Sequence, residues 1–287
     1  MFRIREHCFA TCLRVTLNQS ITGPFLSYCL VSISILPRLL VLATLLGGCT
    51  NPTTSTSPDA VGYVLSPGRA TVRQLPYSVE AEPAIFETSF FPGTQINQDS
   101  QQLKLQSRFL GNLPVSSGQI VAADPVSLHS ETQPFMTRFP RGRFPVELAL
   151  ARFNGDERVA FARILFSDAP VVSWEPALLP GQKPLPLRSK EYYGYPVDAG
   201  MAFFMDAASI EPLNRYLAGK SASENLMVTS FRLDTSSPSP GFLYGIPPDT
   251  VAAFSTGFGD GSYASYVGLD AKHQPCRLLT DFQVISW

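Results

Sequence analysis

The sequence predicts a mainly β protein, a β-rich α+β fold whose antiparallel sheets form a sandwich-like single domain with one or two short helices. The 287-residue chain contains 25 prolines and 20 glycines, which favours many short elements joined by turns. Hydrophobic residues make up 45% of the chain, which is enough for a sizeable core. Short apolar runs alternate with turn residues from residue 60 onward, and we expect residues 60–287 to form this domain.

The clearest local signal is a hairpin formed by the segments VELALARF and RVAFARILF. In the first segment, Val146, Leu148 and Leu150 alternate with smaller or charged residues, as in a strand with one buried face. Asn154-Gly155 stands between the segments and supplies the positive φ angles of a tight hairpin turn. The pattern predicts two antiparallel strands joined at residues 154–157.

A second hairpin is predicted after the corner Gly257-Phe258-Gly259-Asp260-Gly261. Its strands cover 263–269 and 277–285 and flank a turn at 270–275. In the second of these strands, alternation puts one set of side chains on the same face: Leu278, Thr280, Phe282 and Val284.

One helix is predicted to open at Asp206, with Ser209 as a cap and Leu213 and Tyr216 on its apolar face. Further strands are predicted over 70–75, 84–90, 119–123, 202–205 and 226–233. Residues 97–102 and 180–190 are expected to be surface loops, because the first run is polar and the second is rich in proline.

Residues 1–48 are predicted to be a signal peptide rather than part of the fold. A short apolar run, LLVLATLLGG, ends at Leu46-Gly47-Gly48-Cys49, which resembles the lipobox of bacterial lipoproteins. The resemblance implies cleavage before Cys49 and attachment of lipid, including palmitate, to its thiol. The segment before the run is long for such a signal, so translation starting near Val31 or Leu36 is an alternative that stays open.

The residues after Cys49 are predicted to form a flexible tether over 49–59, because Pro, Thr, Ser and Asn cannot bury apolar surface. The expected location is the bacterial cell envelope, with membrane attachment through the lipid. Thr50 follows the cysteine, which resembles lipoproteins that reach the outer membrane or cell surface. The formal net charge is -1 with no long basic run, so no nucleic-acid partner is expected.

Six blocks carry a family resemblance in their order and spacing: SGQIVAADP, RGRFPVELALARF, RVAFARILFS, YGYPVDAG, STGFGDGSYASYVGLD and LLTDF. Together they resemble a bacterial family known as domain of unknown function 4241, over about residues 110–282. The resemblance implies that these blocks form one compact domain. It implies no activity.

Five aspartates in or between these blocks are the candidate site residues: Asp124, Asp198, Asp206, Asp260 and Asp281. If they converge, their oxygens suit a hard cation such as Ca²⁺ or Mg²⁺, with the triad of Asp198, Asp260 and Asp281 as the first choice. The alternative, which we favour, is that each aspartate caps a turn or accepts backbone N–H groups at a strand end.

Other residues offer less chemistry. His273 is expected in an exposed loop, and Cys276 is expected to be a buried, inert thiol. Five tyrosines cluster along the sequence near these aspartates and either line a binding groove or fill the core: Tyr192, Tyr193, Tyr195, Tyr263 and Tyr266. No established cofactor is implied.

Two functions from different classes remain open. The first is a non-catalytic binding or interaction module, displayed on the tether, that recognises a protein or a glycan. The second is a metal-dependent or acid–base hydrolase that uses the clustered aspartates. The scarcity of histidine, with 3 in the whole chain, favours the first.

Lipidation of Cys49 makes a direct prediction. Cys49→Ser removes the thiol that would carry the lipid, so the protein should move from the membrane fraction to the soluble fraction and lose palmitate labelling. Fractionation and metabolic labelling measure both effects. Membrane attachment that is unchanged in the variant would refute the lipoprotein interpretation.

Overall fold

The computed structural model describes residues 63–65, 79–218, 240–246 and 249–287, all within a unit that runs from Ser55 to Trp287. Several predictions lie outside these residues: the signal segment 1–48, Cys49, the tether 49–59 and the strands at 70–75 and 226–233. Among the helices in the described ranges, none combines the length and the apolar character needed to cross a bilayer.

The described residues form strands β1 to β13, in chain order: Tyr63–Leu65, Gln95–Gln98, Gln101–Val115, Ile120–Ala123, Gly142–Phe153, Asp156–Leu165, Ser173–Pro176, Gly194–Val197, Met201–Asp206, Gly241–Ile246, Asp249–Ser255, Gly261–Leu269 and Pro275–Asp281. Two helices accompany them, α1 (Ile85–Thr88) and α2 (Ile210–Leu217). All strand pairs are antiparallel.

The strands build two sheets that pack face to face. One sheet has the order β1-β10-β11-β9-β4, and the other has the order β2-β3-β5-β6-β13-β12-β7, with β8 also paired to β12. The main core lies between the sheets and includes Leu148, Phe204, Phe254 and Leu278. The predicted mainly β, sandwich-like fold with two short helices is confirmed.

The outer faces of both sheets are also buried. Phe86 and Phe90, at α1, and the segment after β13 cover the larger sheet, while Leu213 of α2 packs on the smaller one. Strands β6 and β9 therefore carry runs of buried residues on both faces, which explains their weak alternation in sequence.

The hairpin at residues 154–157 is confirmed. A two-residue turn joins β5 to β6, with φ of 50° at Asn154 and 81° at Gly155. A hairpin in the predicted surface loop 97–102 was missed. There β2 and β3 meet at Asp99 and Ser100, whose φ angles are 50° and 62°, so the turn has the same positive-φ geometry without a glycine.

The helix after β9 begins with a 3₁₀ turn at Ala207–Ser209 and continues as α2. Asp206 is its cap, because its carboxylate accepts the Ala208 N–H at 2.9 Å. Ser209 makes no side-chain capping bond to the helix, so that part of the prediction is wrong. The hydroxyl groups of Tyr216 and Tyr244 lie 2.9 Å apart and tie α2 to β10.

The strand predicted at 84–90 is wrong, because α1 occupies its centre. A helical turn directs Phe86 and Glu87 into the protein, whereas a strand would put neighbouring side chains on opposite faces. Phe86 makes edge contacts with Phe161 and Trp174. Packing against the sheet thus decides the conformation of this short segment.

Beneath α1, four charged side chains are buried together and form a buried ion cluster: Glu87, Glu147, Arg163 and Arg277. Arg163 donates from Nε and Nη2 to Glu147 Oε2 at 3.0 and 2.8 Å, and from Nη1 to Glu87 Oε1 at 3.0 Å. Arg277 Nε donates to the same Glu87 oxygen at 3.1 Å. Among the described residues, two guanidinium groups thus face two carboxylates, which gives each buried charge an opposite partner.

The remaining nitrogens of Arg277 extend the cluster to the backbone. They donate to the carbonyls of Ser167 at 2.6 Å, Cys276 at 2.8 Å and Ala169 at 3.3 Å. The guanidinium of Arg163 also lies over the ring of Phe90, 3.7 Å from its centroid. The cluster therefore joins α1, β5, β6, β13 and the segment after β6 at one point.

Removing one carboxylate from this cluster should be costly. Glu87→Gln keeps the shape of the side chain but removes the carboxylate that both buried guanidinium groups share, so we expect the free energy of unfolding to fall by about 3 kcal/mol or more. Urea unfolding followed by tryptophan fluorescence measures the loss. The matched control is Arg152→Met, which breaks the exposed pair with Glu157 and should cost less than about 1 kcal/mol. Equal losses in the two variants would contradict the central role of the cluster.

Candidate functional site

Asp124 is fully buried at the end of β4 and works as a backbone acceptor. One of its oxygens accepts the Val126 N–H at 2.5 Å, and the other accepts the N–H groups of Asp198 and Ala199, each at 2.7 Å. Pro125 follows it and ends the strand, because proline has no N–H to donate to a strand ladder. Asp124 therefore ties the end of β4 to the turn between β8 and β9.

Asp260 binds the same turn from the opposite side. Its Oδ1 accepts the Gly200 N–H at 3.0 Å, while the side chain of Asp198 itself is exposed. The corner around Asp260 is closed by other groups, because Thr256 Oγ1 and Tyr263 Oη both donate to the Gly259 carbonyl, at 2.8 and 2.7 Å. Asp260 thus caps a neighbouring turn rather than its own.

Asp206 is buried where the segment after β3 reaches β9. Its carboxylate accepts the N–H groups of Ser116 and Ser117 at 2.8 and 2.9 Å, together with both serine hydroxyls. With the bond to Ala208, this carboxylate joins the segment after β3 to the start of the 3₁₀ turn. Its geometry is that of a structural acceptor.

Asp281 lies at the end of β13 and is 6% exposed. Its oxygens accept the Gln283 N–H and the Trp287 indole N–H, both at 2.8 Å. Burial raises the pKa of this carboxyl to about 6, against the opposing effect of the two hydrogen bonds. Asp281 thus accepts a backbone N–H group, as predicted, and it also accepts a side-chain N–H from Trp287.

The structure brings Asp124, Asp198 and Asp260 around one turn, at residues 198–200, and puts Asp206 and Asp281 elsewhere. Within the described ranges, no group of three or more His, Cys, Asp or Glu side chains is placed to hold a metal ion. The carboxylates of Asp124, Asp206, Asp260 and Asp281 accept N–H groups, as the favoured alternative predicts.

Cys276 and His273 take the places predicted from sequence. Cys276 is buried, its thiol donates to the Gly268 carbonyl at 3.3 Å, and burial raises its pKa to about 11. His273 is exposed in the turn between β12 and β13, with φ of 54°. The raised pKa of Cys276 disfavours the thiolate that a nucleophile requires.

A concave feature among the tyrosines lies where edge strand β4 of the smaller sheet faces β8. It encloses about 300 Å³, and we call it the tyrosine groove. Tyr193, Tyr195 and Tyr263 line it, together with the loops that follow β4 and β7. A hydrogen bond of 2.8 Å from Met136 N–H to the Leu178 carbonyl joins these two loops.

The arrangement of β12 creates this groove. Its first half pairs with β8, and its second half pairs with β7. Between them, the Ser265 carbonyl accepts the Ala177 N–H at 2.8 Å, and the chain leaves the sheet as the loop 177–193. Gly194 lets β8 approach closely, because a Cβ there would lie 2.8 Å from the backbone nitrogen of Tyr263.

Neutral polar groups dominate the chemistry of the groove. The loops bring in Ser127, Thr132, Gln133 and Gln182, whose hydroxyl and amide groups both donate and accept. Gln182 Oε1 accepts the Leu179 N–H at 2.8 Å, so the amide NH₂ is the end available to a ligand. The charged carboxylate in the lining, Asp124, is saturated by backbone N–H groups, while His129 and Glu131 lie at the exposed rim.

The hydroxyl of Tyr195 is buried beside the groove and has no hydrogen bond of good geometry among the described residues. Burial raises the pKa of this phenol, opposed by the nearby hydroxyl of Thr280. Thr280 Oγ1 and Ser265 Oγ lie 2.7 Å apart, and Ser265 also lines the groove. The Tyr195 hydroxyl therefore lies beneath the lining of the groove, close to Thr280, rather than at its surface.

The tyrosines split between the two roles considered from sequence. Tyr193 and Tyr195 line the groove, Tyr263 both lines it and belongs to the main core, and Tyr266 is core on the opposite face. Sequence reasoning missed Gln133 and Gln182, because they lie on irregular loops. Nothing in a single sequence distinguishes such glutamines from solvated ones.

The buried carboxyl of Asp281 predicts a pH-dependent loss of stability. An unfolded aspartate has a pKa of about 3.9, so between about pH 4 and pH 6 the unfolded state releases its proton first. The contribution of Asp281 to the free energy of unfolding should then fall as pH rises, by up to about 3 kcal/mol. Asp281→Asn should lack this pH-dependent fall. Urea unfolding at a series of pH values measures the slope.

The test compares how the free energy of unfolding changes with pH in the variant and in the wild type. The hydrogen bonds lost in Asp281→Asn lower this free energy by the same amount at every pH, so they do not affect the comparison. Asp270→Asn is the control. Backbone hydrogen bonds, above all the one from Gln274, lower the pKa of Asp270, so this carboxyl does not titrate between about pH 4 and pH 6 in the folded protein. The same slope in wild type and Asp281→Asn would contradict the assignment.

Comparison with known proteins finds a family but no activity. Residues 113–280, more than half of the chain, match the family described as protein of unknown function (DUF4241). The match begins in β3, ends in β13 and takes in the strands and loops that form the tyrosine groove. No curated protein and no solved structure matches the chain. The chain therefore belongs to the DUF4241 family.

Proposed function

We propose that this protein is a lipoprotein of the bacterial cell envelope whose β-sandwich is a non-catalytic binding module, held on a tether and presenting the tyrosine groove to a glycan. The lipobox-like Leu46-Gly47-Gly48-Cys49 supports lipid anchoring at the outer membrane or cell surface. The polar residues 50–59 support a tether between lipid and domain.

The groove is the observation that carries the binding role. Its volume of about 300 Å³ is at the lower end of ligand-binding pockets, so it suits one or a few small rings rather than a folded surface. Tyrosine rings offer apolar faces on which a sugar ring can stack. The surrounding amides and hydroxyls match the paired donor and acceptor character of sugar hydroxyls.

A glycan fits this lining better than a charged ligand. In the described part of the lining, the one buried carboxylate, that of Asp124, already accepts three backbone N–H groups, and neutral side chains supply most of the remaining polar contacts. The same saturation of Asp124 supports binding rather than acid–base hydrolysis.

Loss of a stacking ring should weaken glycan binding. Tyr193→Ala removes a partly exposed ring from the groove, and we expect at least about fivefold weaker binding of an envelope oligosaccharide. A panel of oligosaccharides released from bacterial envelopes, titrated by calorimetry, identifies the ligand and measures the loss. Tyr192→Ala is the matched control, since the neighbouring tyrosine does not line the groove.

Three results would contradict this proposal. The first is that Tyr193→Ala and Tyr192→Ala weaken oligosaccharide binding equally, which would show that the ligand does not bind in the groove. The second is saturable binding of a protein but of no saccharide, which would favour a protein partner. The third is cleavage of the bound saccharide, or Ca²⁺ or Mg²⁺ binding that is lost in Asp260→Asn, which would favour the hydrolase.

A further inference from the structure

A second concave site lies on the opposite face of β12 from the tyrosine groove. It encloses about 360 Å³ between β12, β13, the segment after β13 and the loop 177–193. We call it the Asp281 pocket and define it by Arg188, Lys190, Tyr192, Tyr266, Asp281 and Trp287. The function proposed above makes no use of these residues.

Among the described residues that line this pocket, Asp281 carries the one acidic group. Its two hydrogen-bond donors, the Gln283 N–H and the Trp287 indole N–H, are both neutral. The dipoles of these two N–H groups, rather than a cation, therefore stabilise the ionised carboxylate. Burial keeps the pKa of Asp281 above the ordinary value of an aspartate. A cation that enters the pocket would supply the opposite charge that these two donors do not.

Aromatic rings stand around this carboxyl. The rings of Tyr266 and Trp287 are nearly perpendicular, at 86°, with centroids 5.7 Å apart, and they form an aromatic corner. Tyr192, which is 48% exposed, adds a third ring whose hydroxyl accepts from Gln283 Nε2 at 2.9 Å. Tyrosine and tryptophan faces attract organic ammonium groups, and several such rings form the usual cage for them.

Basic side chains occupy the loop that forms the other wall. Arg188 and Lys190 are both exposed, and the contact of Arg188 with Glu82, at 3.7 Å, is an exposed pair of little strength. Guanidinium and ammonium groups on one loop can hold a phosphate or a carboxylate. The pocket thus has a negative, aromatic floor and a positive rim.

The geometry points to a binding site for a small zwitterion, with its ammonium group at Asp281 and the aromatic corner and its phosphate or carboxylate at Arg188 and Lys190. Phosphocholine represents this chemistry, since it joins a quaternary ammonium to a phosphate. The group could be a free molecule or the headgroup of a lipid. The site is separate from the tyrosine groove and is independent of the glycan proposed for it.

Phosphocholine titrated into the full-length protein, with calorimetry as the readout, tests the assignment. We expect saturable binding at one site that is weakened at least about tenfold by Asp281→Asn, because a charge-assisted contact is lost. Tyr192→Ala should also weaken binding, and it removes a half-exposed ring that the core does not need. Lys183→Gln, an exposed lysine on the same loop but outside the pocket, should change nothing.

Two further comparisons test the phosphate contact and the ammonium contact of the ligand separately. Arg188→Gln combined with Lys190→Gln should weaken phosphocholine binding but leave choline binding unchanged. Binding of both probes should weaken as pH falls from about 7.5 to about 5, because Asp281 takes up a proton. The other titratable or charged groups that face the pocket are Tyr192, Tyr266, Arg188 and Lys190, and burial raises the pKa of Tyr266 away from this range.

The source of the ligand is resolved by competition. Phosphatidylcholine vesicles that displace free phosphocholine would identify a lipid headgroup, whereas vesicles that fail to compete would identify a soluble zwitterion. Absence of saturable binding of phosphocholine, phosphoethanolamine and choline at millimolar concentration would overturn the inference. Binding that is unchanged in both Asp281→Asn and Tyr192→Ala would overturn it as well.

Discussion

The buried ion cluster of Glu87, Glu147, Arg163 and Arg277 is the constraint on which the larger sheet depends. Two guanidinium groups lie on neighbouring strands β6 and β13 and face the outer layer, where charges are tolerated only if they are paired. Glu87 contacts both arginines, so α1 must stand over this point of the sheet. The aromatic contacts of Phe86 and Phe90 then fill the space around the cluster.

A different constraint creates the two concave sites. Strand β12 is paired with β8 along one half and with β7 along the other, so the edge of the sheet has a break at Ser265. The loop 177–193 leaves through this break and contributes to the lining on both faces. Tyr263 and Ser265 point toward the tyrosine groove, and Tyr266 points toward the Asp281 pocket, as alternation along a strand requires.

The aspartates show how one residue type takes several structural roles. Asp124 and Asp260 hold the turn at residues 198–200 from two sides, and Asp206 joins the end of β3 to the start of the 3₁₀ turn before α2. Each accepts N–H groups that a turn or a strand end would otherwise leave unpaired. Asp281 differs, because it combines that role with a place in a pocket lined by aromatic and basic side chains.

The sequence by itself determined the fold class, the Asn154-Gly155 hairpin and the strand at residues 119–123, because alternation and turn chemistry are local properties. It favoured, without deciding, the acceptor role that the structure gives to Asp124, Asp206, Asp260 and Asp281. Only the tertiary structure decided that residues 85–88 are helical, that Val284 turns away from Phe282 after the positive φ of 57° at Gln283, and which tyrosines face a groove. Each of these depends on contacts between residues far apart in the chain. Local propensity is too weak to determine the conformation of such short segments. The need to bury apolar surface and to pair buried charges determines it instead.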